Sequence, residues 1–217
     1  MQNIYSEVLD KIIFLYEHYS KEHRASTQPF HLQEIQDFVK DYKYNCRDLI
    51  VRESLIEHSG SLPIVATTIY PYIDNKNVDL GRALIMLAIH DIGELVVGDE
   101  IVFTKKIDEL GEEQKQALKL LPESFHEIYL EMEGRTSDTA RFAKAVDKMT
   151  PDIVDLLTTA ENTKVRWKTL VNKEANEIVP TIKEFKHPYM IWNDFMKNLH
   201  LEILDRIDKK LHLQESQ

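Results

Sequence analysis

The chain has 217 residues, of which 43% are hydrophobic and 29% charged, so we expect a single folded domain over residues 1–217 and exclude a disordered or fibrous protein. The single cysteine, Cys46, excludes an intramolecular disulfide framework and a thiolate-rich zinc site, which favours a reducing compartment and therefore the cytoplasm. The formal net charge of −10 argues against a surface that binds a nucleic-acid polymer.

Helical periodicity organises the first half of the chain. The N-terminus shows no secretory signal, and residues 3–18 place apolar side chains at helical spacing, which predicts an amphipathic helix. A second helix is expected after His31, and residues 53–73 predict a third, in which Pro63 should introduce a kink or start a new helix. Asp79 is expected to cap residues 80–91, which are apolar on nearly every side and therefore predict the central helix of the bundle.

The second half of the chain is also predicted to be helical. Residues 108–134 are acidic and indicate a peripheral helical pair broken at Leu121-Pro122, and Ser137 is expected to cap a helix that runs through Asp147. Residues 189–211 repeat apolar side chains at i, i+3 and i+4, which predicts a C-terminal helix packed on the core; a homodimer is left open. The longest apolar run, residues 83–89, is far shorter than the roughly 20 residues that span a bilayer, so no membrane partner is expected.

Four polar residues occupy positions where the local pattern calls for burial: His58, His90, Asp91 and Asp147. A buried carboxylate must be paired or bound to a metal, because the loss of hydration is otherwise too costly. Two imidazoles and two carboxylates from separate helices would form a nitrogen and oxygen site that suits one divalent cation, namely manganese, cobalt, magnesium, iron or zinc.

A purely structural interpretation of the His90-Asp91 pair is also available. A histidine at a helix C-terminus is favoured by the helix dipole, and the adjacent aspartate can cap the next turn. The following residues favour chemistry, because on a continuing helix Glu94 would share a face with His90 and Asp91, and Asp99 follows shortly after. Two further carboxylates beside a dication predict general acid–base catalysis by Glu94 and Asp99.

The order His58, His90-Asp91, Asp147 resembles the H…HD…D signature of the HD-domain metal-dependent phosphohydrolases, which are compact all-α helical bundles. RESLIEHSG and DLGRALIMLAIHDIGELVVGDE together resemble the branch that includes the 5′-deoxynucleotidases. The resemblance continues through Leu121-Pro122 into RFAKAVDKM and covers about residues 40–155. It implies that the two histidines and two aspartates hold one divalent cation, that Glu94 and Asp99 flank the reacting water and the leaving oxygen, and that the substrate is a nucleoside 5′-monophosphate.

The segments expected to recognise the substrate depart from the pattern of this branch. Relatives carry a basic-plus-aromatic pair about fifteen residues before the first histidine, and here that pair is Lys43-Tyr44. Arg52-Glu53 lies one turn before His58, and Lys105 follows Asp99, so these residues are further candidates for substrate binding, with a solvated surface position as the alternative. The residues after Asp99, EIVFTKK, lack the proline of deoxynucleotide-selective relatives.

Two alternatives to a nucleoside monophosphatase remain open on the sequence. One is hydrolysis of another phosphate ester, such as a nucleoside triphosphate, a cyclic nucleotide or a non-nucleotide monoester. The other is a non-catalytic binding module in which the metal stabilises the fold.

Overall fold

A computed structural model of the protein describes residues 4–21, 55–97, 107–157 and 159–212. All regular elements within these ranges are helical, which confirms the predicted all-α fold; the helix expected after His31 lies outside them. The helices are α1 (Ile4–Lys21), α2 (Leu55–Ile69), α3 (Leu80–Ile89), α4 (Glu94–Val97), α5 (Ile107–Leu120), α6 (His126–Gly134), α7 (Asp138–Leu157), α8 (Ala160–Val171), α9 (Ala175–Lys186) and α10 (Asp194–His212). Single turns of 3₁₀ helix follow α2, precede α6 and follow α9. None of the described helices has the length and apolar character needed to cross a membrane.

Helix α7 lies at the centre of the bundle. Ser137 caps its N-terminus as predicted, since the Ser137 Oγ accepts a hydrogen bond from the Ala140 amide at 3.0 Å. The helix then continues ten residues past Asp147, through Pro151, to Leu157. It packs against α1, α2, α3, α6 and α10, which places it inside the bundle rather than on its surface.

The prediction that residues 80–91 form the central helix is therefore wrong. Asp79 does cap α3, because its side chain accepts a hydrogen bond from the Arg82 amide at 3.0 Å. However, α3 is only ten residues long, and it buries one stripe while Ile85 remains 38% exposed. A mostly apolar composition indicates that a helix can be buried. How many other helices surround it depends on packing across the whole fold.

Two other helices differ from expectation at their boundaries. Helix α2 runs as one helix through Pro63, so no new helix starts at that residue. Helix α10 begins at Asp194 rather than at residue 189, because a 3₁₀ turn and a short connection precede it. Its apolar stripe is buried as predicted, with the core residues Met196, Leu199, Ile203, Ile207 and Leu211.

The acidic residues 108–134 form the predicted pair of helices, α5 and α6, with a break at Leu121-Pro122. A small cluster of buried side chains, Ala117, Leu121 and Tyr129, joins the two helices. Ile89 and Ile92 pack against this cluster. The pair therefore supports the turn that follows α3, where His90 and Asp91 lie.

Candidate metal centre

His90 lies directly after α3, and its side chain is 1% exposed. The Nδ1 atom is 2.9 Å from the carbonyl oxygen of Leu87, to which it can only donate, so the proton belongs on Nδ1 and the lone pair on Nε2. The Nε2 atom is buried and makes no hydrogen bond. In its neutral form, an imidazole held in this way presents the Nε2 lone pair to the interior.

Two carboxylates surround this nitrogen. Asp91 Oδ1 lies 2.9 Å from His90 Nε2, and Asp147 Oδ1, from the middle of α7, lies 3.3 Å from the same atom. The other oxygen of Asp147, Oδ2, is buried without a hydrogen-bond partner. The three side chains therefore converge on one point, and their contacts are close ion pairs rather than well-aligned hydrogen bonds.

His58, in the first turn of α2, completes the group. Its Nε2 atom is 3.4 Å from Asp147 Oδ1 and 3.7 Å from Asp91 Oδ2. One ligand atom from each of His58, His90 and Asp147 lies within 4.8 Å of the others, which is the spacing of ligands around a single ion. The structure thus brings together all four residues that the sequence singled out, from α2, α7 and the turn after α3; we call them the His/Asp cluster.

The pKa values of the cluster show that its charged groups interact strongly with one another. Burial alone would lower the pKa of His90, but the carboxylates of Asp147 and Asp91 outweigh it and raise that pKa to about 9. Although burial opposes the change, the pKa of Asp147 lies well below its usual range because Lys148 and both imidazoles face it. The pKa of Asp91 is also lowered against the effect of burial, mainly by His90.

The residues of the cluster fit a divalent cation. His90 Nε2 and Asp147 Oδ2 are both buried and make no well-aligned hydrogen bond, so a bound cation would give each of them a partner. A set of two imidazoles and carboxylate oxygens is also the ligand type that manganese, iron, cobalt and zinc prefer.

Comparison with known proteins agrees with this geometry. Residues 43–186 match the family profile of the HD domain, and this range contains the whole His/Asp cluster. The chain belongs to the HD-domain family. It is also similar to a solved structure described as a predicted metal-dependent phosphohydrolase from Magnetospirillum magnetotacticum MS-1, with 26% identity over 70% of this chain and 79% of that one and a TM-score of 0.49. Comparison with curated proteins gives no match.

Glu94 of this HD domain does not lie on a continuation of α3, as the sequence had suggested. Helix α3 does not continue through Glu94, because the amides of Ile92 and Glu94 bond to the carbonyls of Ile89 and Asp91, three residues back, and α4 begins at Glu94. Glu94 is nevertheless buried. Burial and then the charges of nearby carboxylates, Asp91 and Glu94 among them, raise the pKa of Tyr129.

Two lysines beside the cluster of this HD domain were not among the residues predicted from the sequence. Lys148 Nζ lies 3.1 Å from Asp147 Oδ2, and Lys144 Nζ lies 3.9 Å from the same oxygen and 2.8 Å from Glu133 Oε1. The segment RFAKAVDKM contains both lysines, at i−3 and i+1 of Asp147. The spacing was a usable signal for Lys144, because a residue at i−3 on a helix shares a face with the aspartate, but not for Lys148, which is adjacent to it.

The remaining candidates lie outside the described residues. They comprise the second predicted acid–base residue and the predicted substrate contacts: Asp99, Lys43, Tyr44, Arg52, Glu53 and Lys105.

Proposed function

We propose that this HD-domain protein is a divalent-metal-dependent phosphohydrolase and that its substrate is a nucleoside 5′-monophosphate. The observation that carries the proposal is the buried Nε2 atom of His90, oriented by the contact of Nδ1 with the Leu87 carbonyl and faced by Asp147 and Asp91. A buried cluster of this type is strongly stabilised by a dication and poorly stabilised without one.

His58, His90, Asp91 and Asp147 would hold the cation. When bound, a dication polarises a phosphoryl oxygen and lowers the pKa of a neighbouring water, which makes hydrolysis feasible at neutral pH. The carboxylates of Asp91 and Asp147 are ionised at neutral pH because both pKa values are lowered, so they are ready to accept a cation. His90 gives up its proton on binding, since a ligand nitrogen must be unprotonated.

The proposed acid–base residue is Glu94. It begins a separate short helix next to Asp91 and is buried, so its carboxyl group is held rather than free to rotate in solvent. We assign to it the transfer of a proton from the attacking water, with Asp99 as the second group expected to handle the leaving oxygen.

Lys144 and Lys148 supply positive charge next to the cluster. A phosphate monoester carries close to two negative charges at neutral pH, and two ammonium groups near Asp147 can neutralise it as it approaches. Lys144 also faces Glu133 and Lys148 also faces Asp147, so the two ammonium groups would offset part of the negative charge that an anionic substrate meets in a chain with a net charge of −10.

The nucleotide part of the proposal rests on the resemblance of residues 53–58 and 90–99 to the 5′-deoxynucleotidase branch. Because EIVFTKK lacks the proline of deoxynucleotide-selective relatives, we expect less than a roughly 200-fold preference for the deoxyribose form, the scale that a modest pocket contact supplies. Phosphate esters of other classes and a non-catalytic role of the metal are the alternatives.

The proposal is tested by phosphate release from dAMP, AMP, dUMP and UMP. The enzyme is first stripped of metal and then supplied with Mn²⁺ or Co²⁺; activity should disappear on stripping and return on addition. Asp147→Asn should lose both bound metal and activity, because it removes a charged ligand, whereas Lys115→Gln, on exposed α5, should keep both.

Each outcome separates the alternatives. Full turnover by verified metal-free protein would contradict the mechanism. Bound metal without activity on any phosphate ester would favour a structural role of the metal. Activity on other esters but on none of the four nucleotides would support phosphate-ester hydrolysis and contradict the proposed nucleoside monophosphate substrate.

A further inference from the structure

A pocket lies where the C-terminal end of α6, the first turn of α7 and the 3₁₀ turn after α9 meet. It has a volume of about 260 Å³ and is lined by Gly134, Arg135, Arg141, Pro188, Tyr189 and Trp192. We call it the arginine pocket. It is distinct from the His/Asp cluster, and none of its lining residues carries a carboxylate.

Arg135 is held in an unusual backbone conformation. It follows the last residue of α6 with φ 51° and ψ 40°, the left-handed region that glycine adopts most readily, and its amide bonds to the carbonyls of Glu131 and Met132. Its guanidinium lies 5.0 Å from the centre of the Tyr189 ring, a cation–π contact. It makes no ion pair with any residue in the part of the chain that the structure describes, so its charge is available.

Arg141 and Trp192 supply further hydrogen-bond donors to the pocket. Arg141 Nη1 is 3.0 Å from Asp138 Oδ1, and half of the Arg141 side chain is exposed, which leaves further N–H groups for a ligand. Trp192 Nε1 is buried and has no hydrogen-bond partner. Arginine and the indole N–H can only donate, so the pocket calls for a ligand that accepts hydrogen bonds.

We propose that the arginine pocket is a binding site for a compact oxyanion, namely the phosphate group of a small molecule. Two guanidinium groups match phosphate oxygens with planar pairs of donors, and the small volume suits a single anionic group better than a whole nucleotide. The net charge of the chain is −10, so the protein as a whole repels anions. The two arginines of the pocket supply the local positive charge that binding an anion requires.

The pocket shares helix α7 with the His/Asp cluster. Arg141 and Lys148 are seven residues apart on α7 and therefore lie on the same face. The 3₁₀ turn that carries Tyr189 packs against α7. A phosphate group in the pocket would thus lie on the face of α7 that carries Lys148.

The test measures binding, without turnover, by the full-length chain. The chain has two tryptophans, so a ¹⁵N-labelled sample shows two indole N–H signals in an NMR spectrum, which Trp192→Phe assigns. Inorganic phosphate is titrated at constant ionic strength with EDTA present. We expect the Trp192 signal to shift and saturate, while the signal of Trp167, whose Nε1 donates to Asp155 Oδ2 at 3.2 Å, stays in place.

The variant Arg135→Gly with Arg141→Gln removes both guanidinium groups. Glycine tolerates the left-handed backbone of residue 135, so the fold is retained and the two indole signals verify it. We expect phosphate affinity to fall by about tenfold or more, the scale of a lost charge-assisted contact. The matched control is Lys115→Gln with Lys209→Gln, which removes the same charge from two exposed ion pairs and should leave affinity unchanged.

Three results would overturn the proposal: no saturable shift of the Trp192 signal, equal affinity in the arginine variant, or an equal loss in the lysine control, which would show a general charge effect. Because metal is chelated and no reaction is followed, none of these results bears on the proposed hydrolase activity.

Discussion

Gly93 lies against the backbone of Glu113, so closely that a Cβ atom on residue 93 would be 2.4 Å from the Glu113 carbonyl oxygen. Gly93 immediately precedes Glu94, and Glu113 lies in α5. The absence of a side chain at residue 93 therefore sets how closely α4 approaches α5. This contact positions the backbone of the proposed acid–base residue.

Gly93→Ala should push α4 away from α5. Since the contact is with backbone, which cannot rotate aside, we expect a loss of about 1–3 kcal/mol in the free energy of unfolding and a larger fractional loss of kcat than of bound metal. The control is Gly111→Ala on α5, where an added Cβ meets nothing within 4 Å. That control should gain up to about 1 kcal/mol from helix propensity, as measured by denaturant unfolding.

Glu94→Gln should separate metal binding from chemistry. The variant keeps the volume and polarity of the side chain but cannot transfer a proton, so we expect normal metal content and a loss of about 10²–10⁴-fold in kcat. Metal analysis and kinetics on the same preparation check this. Loss of the metal would instead make Glu94 a ligand, and an unchanged rate would remove it from the mechanism.

Lys148→Gln should change metal and substrate affinity in opposite directions. The Lys148 ammonium lies 3.1 Å from Asp147 Oδ2, so it competes with a cation for that carboxylate and attracts an anionic substrate. We expect tighter metal binding and an increase of about tenfold in KM, the effect of losing one charged contact. If metal affinity and KM both stay at their original values, Lys148 does not act at the site.

Ionised Asp152 contributes to the stability of the protein, and this contribution is lost at acid pH. Burial would raise its pKa, but Lys186 and His200 outweigh it, so the pKa of Asp152 is lower in the folded than in the unfolded chain. Such a group stabilises the fold above its unfolded pKa of about 4, and this contribution is lost as pH falls through the lower folded value.

Asp152→Asn should remove that part of the pH dependence. It also removes the carboxylate charge 2.5 Å from the buried Lys186 ammonium group, so we expect a loss of about 3–5 kcal/mol in the free energy of unfolding at neutral pH. Thermal unfolding from pH 3 to 7 measures both effects. Bound metal should remain, because Asp152 is five residues from Asp147 and contacts Lys186 and His200 instead of the cluster.

Much of the candidate site was readable from the chain alone. His58, His90, Asp91 and Asp147 are polar residues within apolar helical patterns, and burying a polar group without a partner costs too much to be accidental. Local periodicity alone was enough to single out these four residues, and the structure brings their side chains together. The all-α fold followed from the same periodicity.

Packing between distant segments decided the rest. The sequence favoured residues 80–91 as the central helix, yet α7 lies at the centre. The apolar composition of a segment indicates that it can be buried but does not determine how many helices pack around it. The contact of Gly93 with Glu113 and the meeting of Arg135, Arg141 and Trp192 join residues that are between 6 and 57 positions apart. No local pattern encodes such meetings, since they depend on how whole helices cross in space.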